Sequence, residues 1–190
     1  PCRGAGGAGR SIDRFAKASY RGPITPDGEM GEEKYRLVTE GPPNWTSFRD
    51  FWKMFYDEGA VVVASTYSKV GGLYDFGFRH DADHPLESLA DYCLGCYTNL
   101  NLPSRIDMIC KYIDEYQADG LLINSIKSCN SFSAGQLLIL REVEKRTGKP
   151  AAFIETDLVD PRYFSAANVK NRLESYFQMI KQKRAAGAAH

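Results

Sequence analysis

"GLLINSIKSCNSFSAGQLLILREVEKRTGKPAAFIETD", residues 120–157, decides the fold. "GLLINSI" (120–126) is a short, mostly apolar run bounded by turn-forming residues, which suits a strand buried on both faces. "SAGQLLILREVEKRTGK" (133–149) carries apolar residues at helical spacing and predicts one helix ending at Gly148. "PAAFIETD" (150–157) is a second short apolar run. Strand, helix and strand in this order, with no polar alternation along the strands, predict a parallel sheet covered on both sides.

The same grammar extends in both directions. Upstream, "KYRLVTEG" (34–41) is β-prone and stops at Gly41, Pro42 and Pro43. "TSFRDFWKMFYDEG" (46–59) sets Phe48, Phe51, Trp52 and Phe55 three and four residues apart. It predicts an amphipathic helix capped by Asn44 or Thr46 and closed by Gly59. "AVVVAS" (60–65) is a buried strand, and 66–85 reads as a loop. "PLESLADYCLGCYTN" (85–99) starts a helix that breaks at Gly95. "PSRIDMICKYIDEYQADG" (103–120) is a helix with Pro103 at its first turn and Ile106, Ile109, Cys110 and Ile113 on its apolar face. Downstream, 165–184 is a last helix with Val169, Leu173, Phe177 and Ile180 as its stripe. The expected architecture is α/β: a doubly wound, flavodoxin-like parallel sheet of about four strands with helices on both faces. Residues 1–33, rich in Gly and charge, read as a linker or the remnant of an upstream domain. Residues 34–184 form the α/β domain, and 185–190 form a loose tail.

Composition narrows the function classes. Lys and Arg total 24, as do Asp and Glu, so the chain is neutral and offers no basic surface to nucleic acid or an anionic membrane. No apolar stretch is long enough to cross a bilayer, and no signal-peptide pattern opens the chain, so a cytoplasmic setting is expected. The cysteines number 5, an odd count at irregular spacing, which suits reduced thiols better than a disulfide framework.

In a doubly wound sheet, ligands gather beyond the carboxyl ends of the strands. Four segments meet there: 39–45, 65–72, 125–133 and 154–164. Cys129 lies on that edge. One reading makes it an inert thiol in a turn. The other makes it a thiolate, favoured by Lys127 and the start of the following helix, that ligates iron or attacks an electrophile. His80, His84 and His190 lie in loops or the tail and offer no evident base, which favours the metal reading over the nucleophile. Cys93-x-x-Cys96 is a single pair, compatible with two ligands, a redox pair or two unrelated thiols. Cys110 belongs to a helix core, and Cys2 lies in the head. "GPPNW" (41–45) lacks the spacing and the Lys-Ser/Thr ending of a P-loop. Its Asn44 and Trp45 suit either a turn and cap or the wall of a pocket. Glu155 and Asp157, two apart on a strand end, suit acid–base work or the capping of the next turn.

Residues 118–180 carry a combined pattern: Asp119-Gly120, an apolar strand, Lys127-x-Cys129, a helix, Gly148-Lys-Pro150, a strand with Glu155-x-Asp157, and Arg172-Leu-Glu174 in the last helix. This pattern resembles the carboxy-terminal domain of the 2-hydroxyacyl-CoA dehydratase and benzoyl-CoA reductase family. The likeness runs from about residue 20 to 184. "SCNSFSAGQ" (128–136) and "DPRYFSAANVKNRLESYFQM" (160–179) look closest to the B subunit of the ATP-dependent benzoyl-CoA reductase branch.

The resemblance implies a subunit of an oxidoreductase of anaerobic aromatic degradation that carries a [4Fe-4S] cluster, with Cys129 matching the carboxy-terminal ligand. It also implies further ligands outside this chain, a CoA thioester substrate, and other reductase subunits including an ATP-hydrolysing activator. Cys93 and Cys96 match no assigned ligand and are kept as residues near the cluster or substrate. Asn44, Trp45, Lys127 and Glu155 are kept as substrate-side residues, and Tyr67, Tyr74, Phe76 and Phe78 as further aromatic wall. A 2-hydroxyacyl-CoA dehydratase subunit is the alternative within the family. A non-catalytic flavodoxin-like binding or assembly module is the alternative outside it.

Overall fold

Along each central strand the side chains alternate between two apolar layers. Leu37, Leu122 and Ile154 point to one, and Val38, Leu121 and Ile123 to the other. The computed structural model describes residues 32–67 and 77–187. The strands are β1 (Tyr35–Glu40), β2 (Ala60–Ser65), β3 (Gly120–Ile126) and β4 (Ala151–Thr156). They form one sheet in the order β2-β1-β3-β4, and every neighbouring pair is parallel. All seven residues of β3 are buried, as expected for a central strand with helices above and below.

Helices α1 (Phe48–Asp57) and α6 (Ala166–Gly187) cover one face, placing Phe51, Phe55, Leu173 and Phe177 against the sheet. Helices α3 (Leu102–Glu115) and α5 (Gln136–Thr147) cover the other with Ile106, Ile109, Ile113, Ile139 and Val143. Two further helices, α2 (Pro85–Leu94) and the single turn α4 (Asn130–Ser133), complete the described elements with 3-10 turns at Tyr97–Asn99 and Pro161–Tyr163. The doubly wound expectation is met, with helices on both faces.

Three details differ from the sequence reading. The helix expected over 133–149 starts later, at Gln136 as α5, and a separate turn α4 precedes it, because Gly135 adopts φ +82° and breaks the helical path between them. Helix α1 starts after Ser47 rather than at Asn44 or Thr46. Asn44 instead closes the preceding turn, its Oδ1 accepting from Ser47 N (3.0 Å) and Thr46 Oγ1 (2.8 Å). Helix α6 continues through Gly187, so 185–187, expected in a loose tail, are helical. Ala185 and Ala186 are the strongest helix formers and carry the helix on. The head 1–31, the loop 68–76 with Tyr74 and Phe76, and 188–190 lie outside the described residues.

Helix α3 is capped by Asn101, whose side chain accepts from Ser104 N at 2.9 Å. Asn101→Ala is expected to cost about 1 kcal/mol. A urea titration checks it, with an unchanged midpoint counting against the cap.

Candidate functional site

The carboxyl edge of the sheet is built around Asn124, near the end of β3. Its Nδ2 donates to Pro42 O (2.5 Å), just past β1, and its Oδ1 accepts from Thr156 Oγ1 (3.0 Å), the last residue of β4. One buried amide thus ties the ends of three strands. Gly41 passes so close that a Cβ there would collide with the carbonyl oxygen of Asn124, and its φ of +96° is open to glycine alone at little cost. The backbone N–H of Gly41 also reaches Thr66 Oγ1 at 3.4 Å, drawing in the exit of β2.

Beside this knot lies a fully buried carboxyl group, Glu40. Its Oε1 accepts from the Tyr97 hydroxyl (3.2 Å) and its Oε2 from Gln136 Nε2 (2.5 Å). Burial pushes its pKa from an ordinary 4.5 up to about 7, although the two hydrogen bonds and the nearby Arg105 charge pull the other way. The desolvation of a carboxylate outweighs two neutral donors and a charge whose own donors are engaged elsewhere. Burial, reinforced by the Glu40 charge, also drives the Tyr97 hydroxyl upward, so it stays a donor.

Cys129 is the third residue after β3 and stands at the N-cap position of the single turn α4. It is half-buried and packs at the margin of the α3–α5 core. It is neither turned fully inward nor free of the protein. Its backbone N–H donates to Ile126 O at 3.1 Å and its carbonyl accepts from Ser133 N at 3.0 Å, which fixes the turn. Asp157 holds the adjoining loop. Its carboxylate lies below the usual range because it accepts from the N–H groups of Val159 and Asp160, and then from Ser128, the residue before the cysteine.

The other expected residues fall around this edge. Lys127 pairs with Glu155 (3.4 Å) and lies 4.8 Å from the centre of the Tyr163 ring. Both line a small cleft of about 190 Å³ with Tyr163, Asn168 and Arg172. Glu155 and Asp157 do not work as a pair: Glu155 is exposed, while Asp157 is a loop cap. Asn44 is wholly buried, with its Nδ2 unpartnered. Trp45 is half-exposed and stacks on Phe48 with ring centres 5.3 Å apart. From Trp45 the rings continue to Tyr67 (6.3 Å), Phe132 (6.2 Å) and Tyr97 (5.9 Å), reaching the Cys129 turn. An apolar cavity of about 310 Å³ opens beside this run, between α1 and the sheet, with Pro43, Phe48, Trp52 and Tyr67 in its wall.

Comparison with known proteins fits this edge into a lineage. The family model described as "2-hydroxyglutaryl-CoA dehydratase, D-component" matches residues 12–180. The chain belongs to this family. It is 82% identical over 164 residues to the benzoyl-CoA reductase B subunit of Thauera aromatica, covering 86% of this chain and 38% of that protein. It is 24% identical over 157 residues to the lactoyl-CoA dehydratase alpha subunit of Anaerotignum propionicum, covering 82% of this chain and 36% of the relative. It is also 24% identical over 177 residues to the (R)-phenyllactyl-CoA dehydratase alpha subunit of Clostridium sporogenes, covering 91% and 38%. The chain therefore spans little more than a third of the length of the curated relatives it matches.

For a member of the dehydratase D-component family, the donor set matters. Cys129 supplies one thiol at the sheet edge. Among the described residues no group of three or more Cys, His, Asp and Glu is arranged to hold a metal ion. Cys96 is half-buried, its thiol pushed up chiefly by burial and then by neighbouring Cys93, which is exposed. The Cys129 thiol stands in a turn braced by backbone hydrogen bonds to Ile126 and Ser133. No helix of the described residues is long and apolar enough to cross a membrane.

Sequence reading missed Glu40, Arg105, Asn124 and Gln136. Two of them left a signal. Glu40 is a carboxylate ending an apolar strand, and Arg105 stands four residues before Ile109 on a helix's buried face. Charged residues at core spacing mark polar networks.

Proposed function

We propose that this chain is the carboxy-terminal part of the iron–sulfur subunit of an ATP-dependent benzoyl-CoA reductase. It would act with other reductase subunits, including an ATP-hydrolysing activator, in the cytoplasm. The observation that carries the reading is the 82% identity to the Thauera aromatica protein across most of the chain. Cys129 in its braced turn is the ligand this segment contributes to a [4Fe-4S] cluster. The remaining ligands come from outside the chain, with Cys93 and Cys96 nearby. When bound, such a cluster supplies the low-potential electron that an aromatic ring demands, and the thioester carbonyl spreads the added charge.

The chain's own residues supply the surroundings. The turn around Cys129 is held by backbone hydrogen bonds on one side and by Asp157 on the other, so a sulfur ligand there is preorganised in position. The rings of Trp45, Tyr67 and Phe132 give a flat apolar ring a wall to lie on and keep water away. Lys127 and Glu155 at the small cleft, and Asn44 and Trp45 beside the larger cavity, stand on the substrate side.

In the complete reductase, Cys129→Ser is expected to lose most of the cluster iron, because serine oxygen is a poor replacement for thiolate sulfur at such a centre. Iron determination and the broad absorbance near about 400 nm check it. Iron content equal to the parent enzyme overturns the assignment of Cys129.

A further inference from the structure

The family pattern places Cys129 in a site and leaves the Cys93-x-x-Cys96 segment without a task. The structure joins the two. Arg105, on α3, is buried, yet all three of its side-chain nitrogens donate to backbone carbonyls rather than to a carboxylate. Nη2 reaches Thr98 O at 2.6 Å and Nε reaches Leu100 O at 3.2 Å, both just beyond Cys96. Nη1 reaches Ser131 O at 2.9 Å, two residues beyond Cys129. A planar fork with fixed donor directions grips two chain segments in one geometry, which an ammonium on a flexible stem does not do.

Two more contacts span the same junction. Tyr97, the residue after Cys96, stacks its ring on Phe132, three residues after Cys129, at 5.9 Å and 25°. The Arg105 guanidinium lies 5.2 Å from the centre of that same Tyr97 ring. Glu40 repeats the bridge from the strand side, accepting from Tyr97 on the cysteine-pair segment and from Gln136 on the helix that follows the Cys129 turn. A charged fork, a ring stack and a buried carboxyl group thus each connect one cysteine segment to the other.

We propose that Arg105 is a positioning residue that docks the Cys93-x-x-Cys96 segment onto the Cys129 turn, making that segment the second wall of the cysteine site, with Glu40 supporting the same joint. Its importance for cluster chemistry rests on the reading of Cys129 as an iron ligand; the docking itself does not. Without Arg105, carbonyls of both segments lose a charged donor in a buried setting, and both turns open more often.

The test uses the complete reductase with Arg105→Gln and Arg105→Lys. After iron removal, the rates at which iodoacetamide modifies Cys96 and Cys129 are followed by peptide mass spectrometry. In the iron-loaded enzyme, the electron paramagnetic resonance signal of the reduced cluster and its midpoint potential are recorded. Arg105→Gln is expected to speed modification of both cysteines together by about tenfold, as local opening becomes more frequent, and to broaden or shift the cluster signal. Arg105→Lys is expected to recover part of both. A variant with a lower melting temperature but parental modification rates and an unchanged signal overturns the proposal, since Arg105 would then only stabilise α3. Acceleration at one cysteine alone also overturns it. If Arg105→Gln does not assemble, Phe132→Leu removes the ring stack across the same joint, and coupled acceleration is again the required result. Joint acceleration with iron unaffected by Cys129→Ser would keep the docking and remove the cluster assignment, so the two failures are distinguishable.

Discussion

Gly41→Ala is expected to cost the chain about 3 to 5 kcal/mol, a large share of the stability a domain of this size has to lose. Two penalties combine at this position. The backbone stands at φ +96°, outside the regions open to residues with a Cβ, and the new methyl would run into the carbonyl oxygen of Asn124. That oxygen belongs to the central strand, so it has no flexible side chain's freedom to swing aside. Relief requires β1 and β3 to separate where Asn124 ties the strand ends together. Gly148→Ala is the control. Its φ is +67° and no atom lies within 4 Å of a Cβ built there, so only conformational strain of about 1 kcal/mol is expected. Chemical denaturation of both variants measures the difference. Equal losses would mean that the contact with Asn124 carries no energy and that the close crossing is soft.

Glu40→Gln is expected to change the pH dependence of stability more than its value under acid conditions. The carboxyl has a pKa of about 7 when folded against an ordinary 4.5. In this interval the folded chain keeps a proton that the unfolded chain has released. Glu40 therefore contributes full stability below about pH 4.5, loses it as pH rises toward 7, and levels off above that. A gap of roughly 2.5 pH units corresponds to about 3 kcal/mol, an order-of-magnitude figure. Asp81, Asp157 and Asp160, whose carboxylates are held below the usual range, work in the opposite sense and lower stability on acidification. Comparing parent and Glu40→Gln at each pH cancels them. The variant is expected to equal or trail the parent near pH 4.5 and to overtake it by pH 8, because a neutral amide has no charge to desolvate. Melting temperatures across that range decide it. Parallel curves would mean that Glu40 ionises normally and that the network around it is hydrated.

Much of the fold was legible because its elements are local. The apolar runs at 60–65, 120–126 and 150–157 and the helical stripes at 48–55 and 169–180 are short-range patterns, and Gly59, Gly95 and Gly148 mark their ends. The break at Gly135 was not legible. Glycine inside a periodic stretch is tolerated in many helices, and here the left-handed conformation seats the residue against Leu102 of α3, whose Cδ1 would lie 2.9 Å from a Cβ. The site divides the same way. The position of Cys129 at the sheet edge was legible from its place in a strand–turn–helix. Glu40 and Arg105 were not: the partners of Glu40 lie 57 and 96 residues away in sequence, and the contact that makes Arg105 a bridge, Ser131 O, lies 26 away. Of the two roles open to Glu155 and Asp157, Asp157 takes the capping one: β4 ends at Thr156, and the N–H groups of Val159 and Asp160 turn back onto its carboxylate.

By itself, then, the amino-acid sequence determined the order and kind of the elements, the parallel character of the sheet and the family pattern. Hydrophobic periodicity and turn chemistry act over a few residues and need no partner. Only the tertiary structure decided that one amide would knot three strand ends, that a carboxyl group would be sealed beneath them, and that one guanidinium would clasp both cysteine segments. Desolvation and hydrogen-bond geometry depend on what packs around a group, and that neighbourhood exists only once the chain has closed on itself.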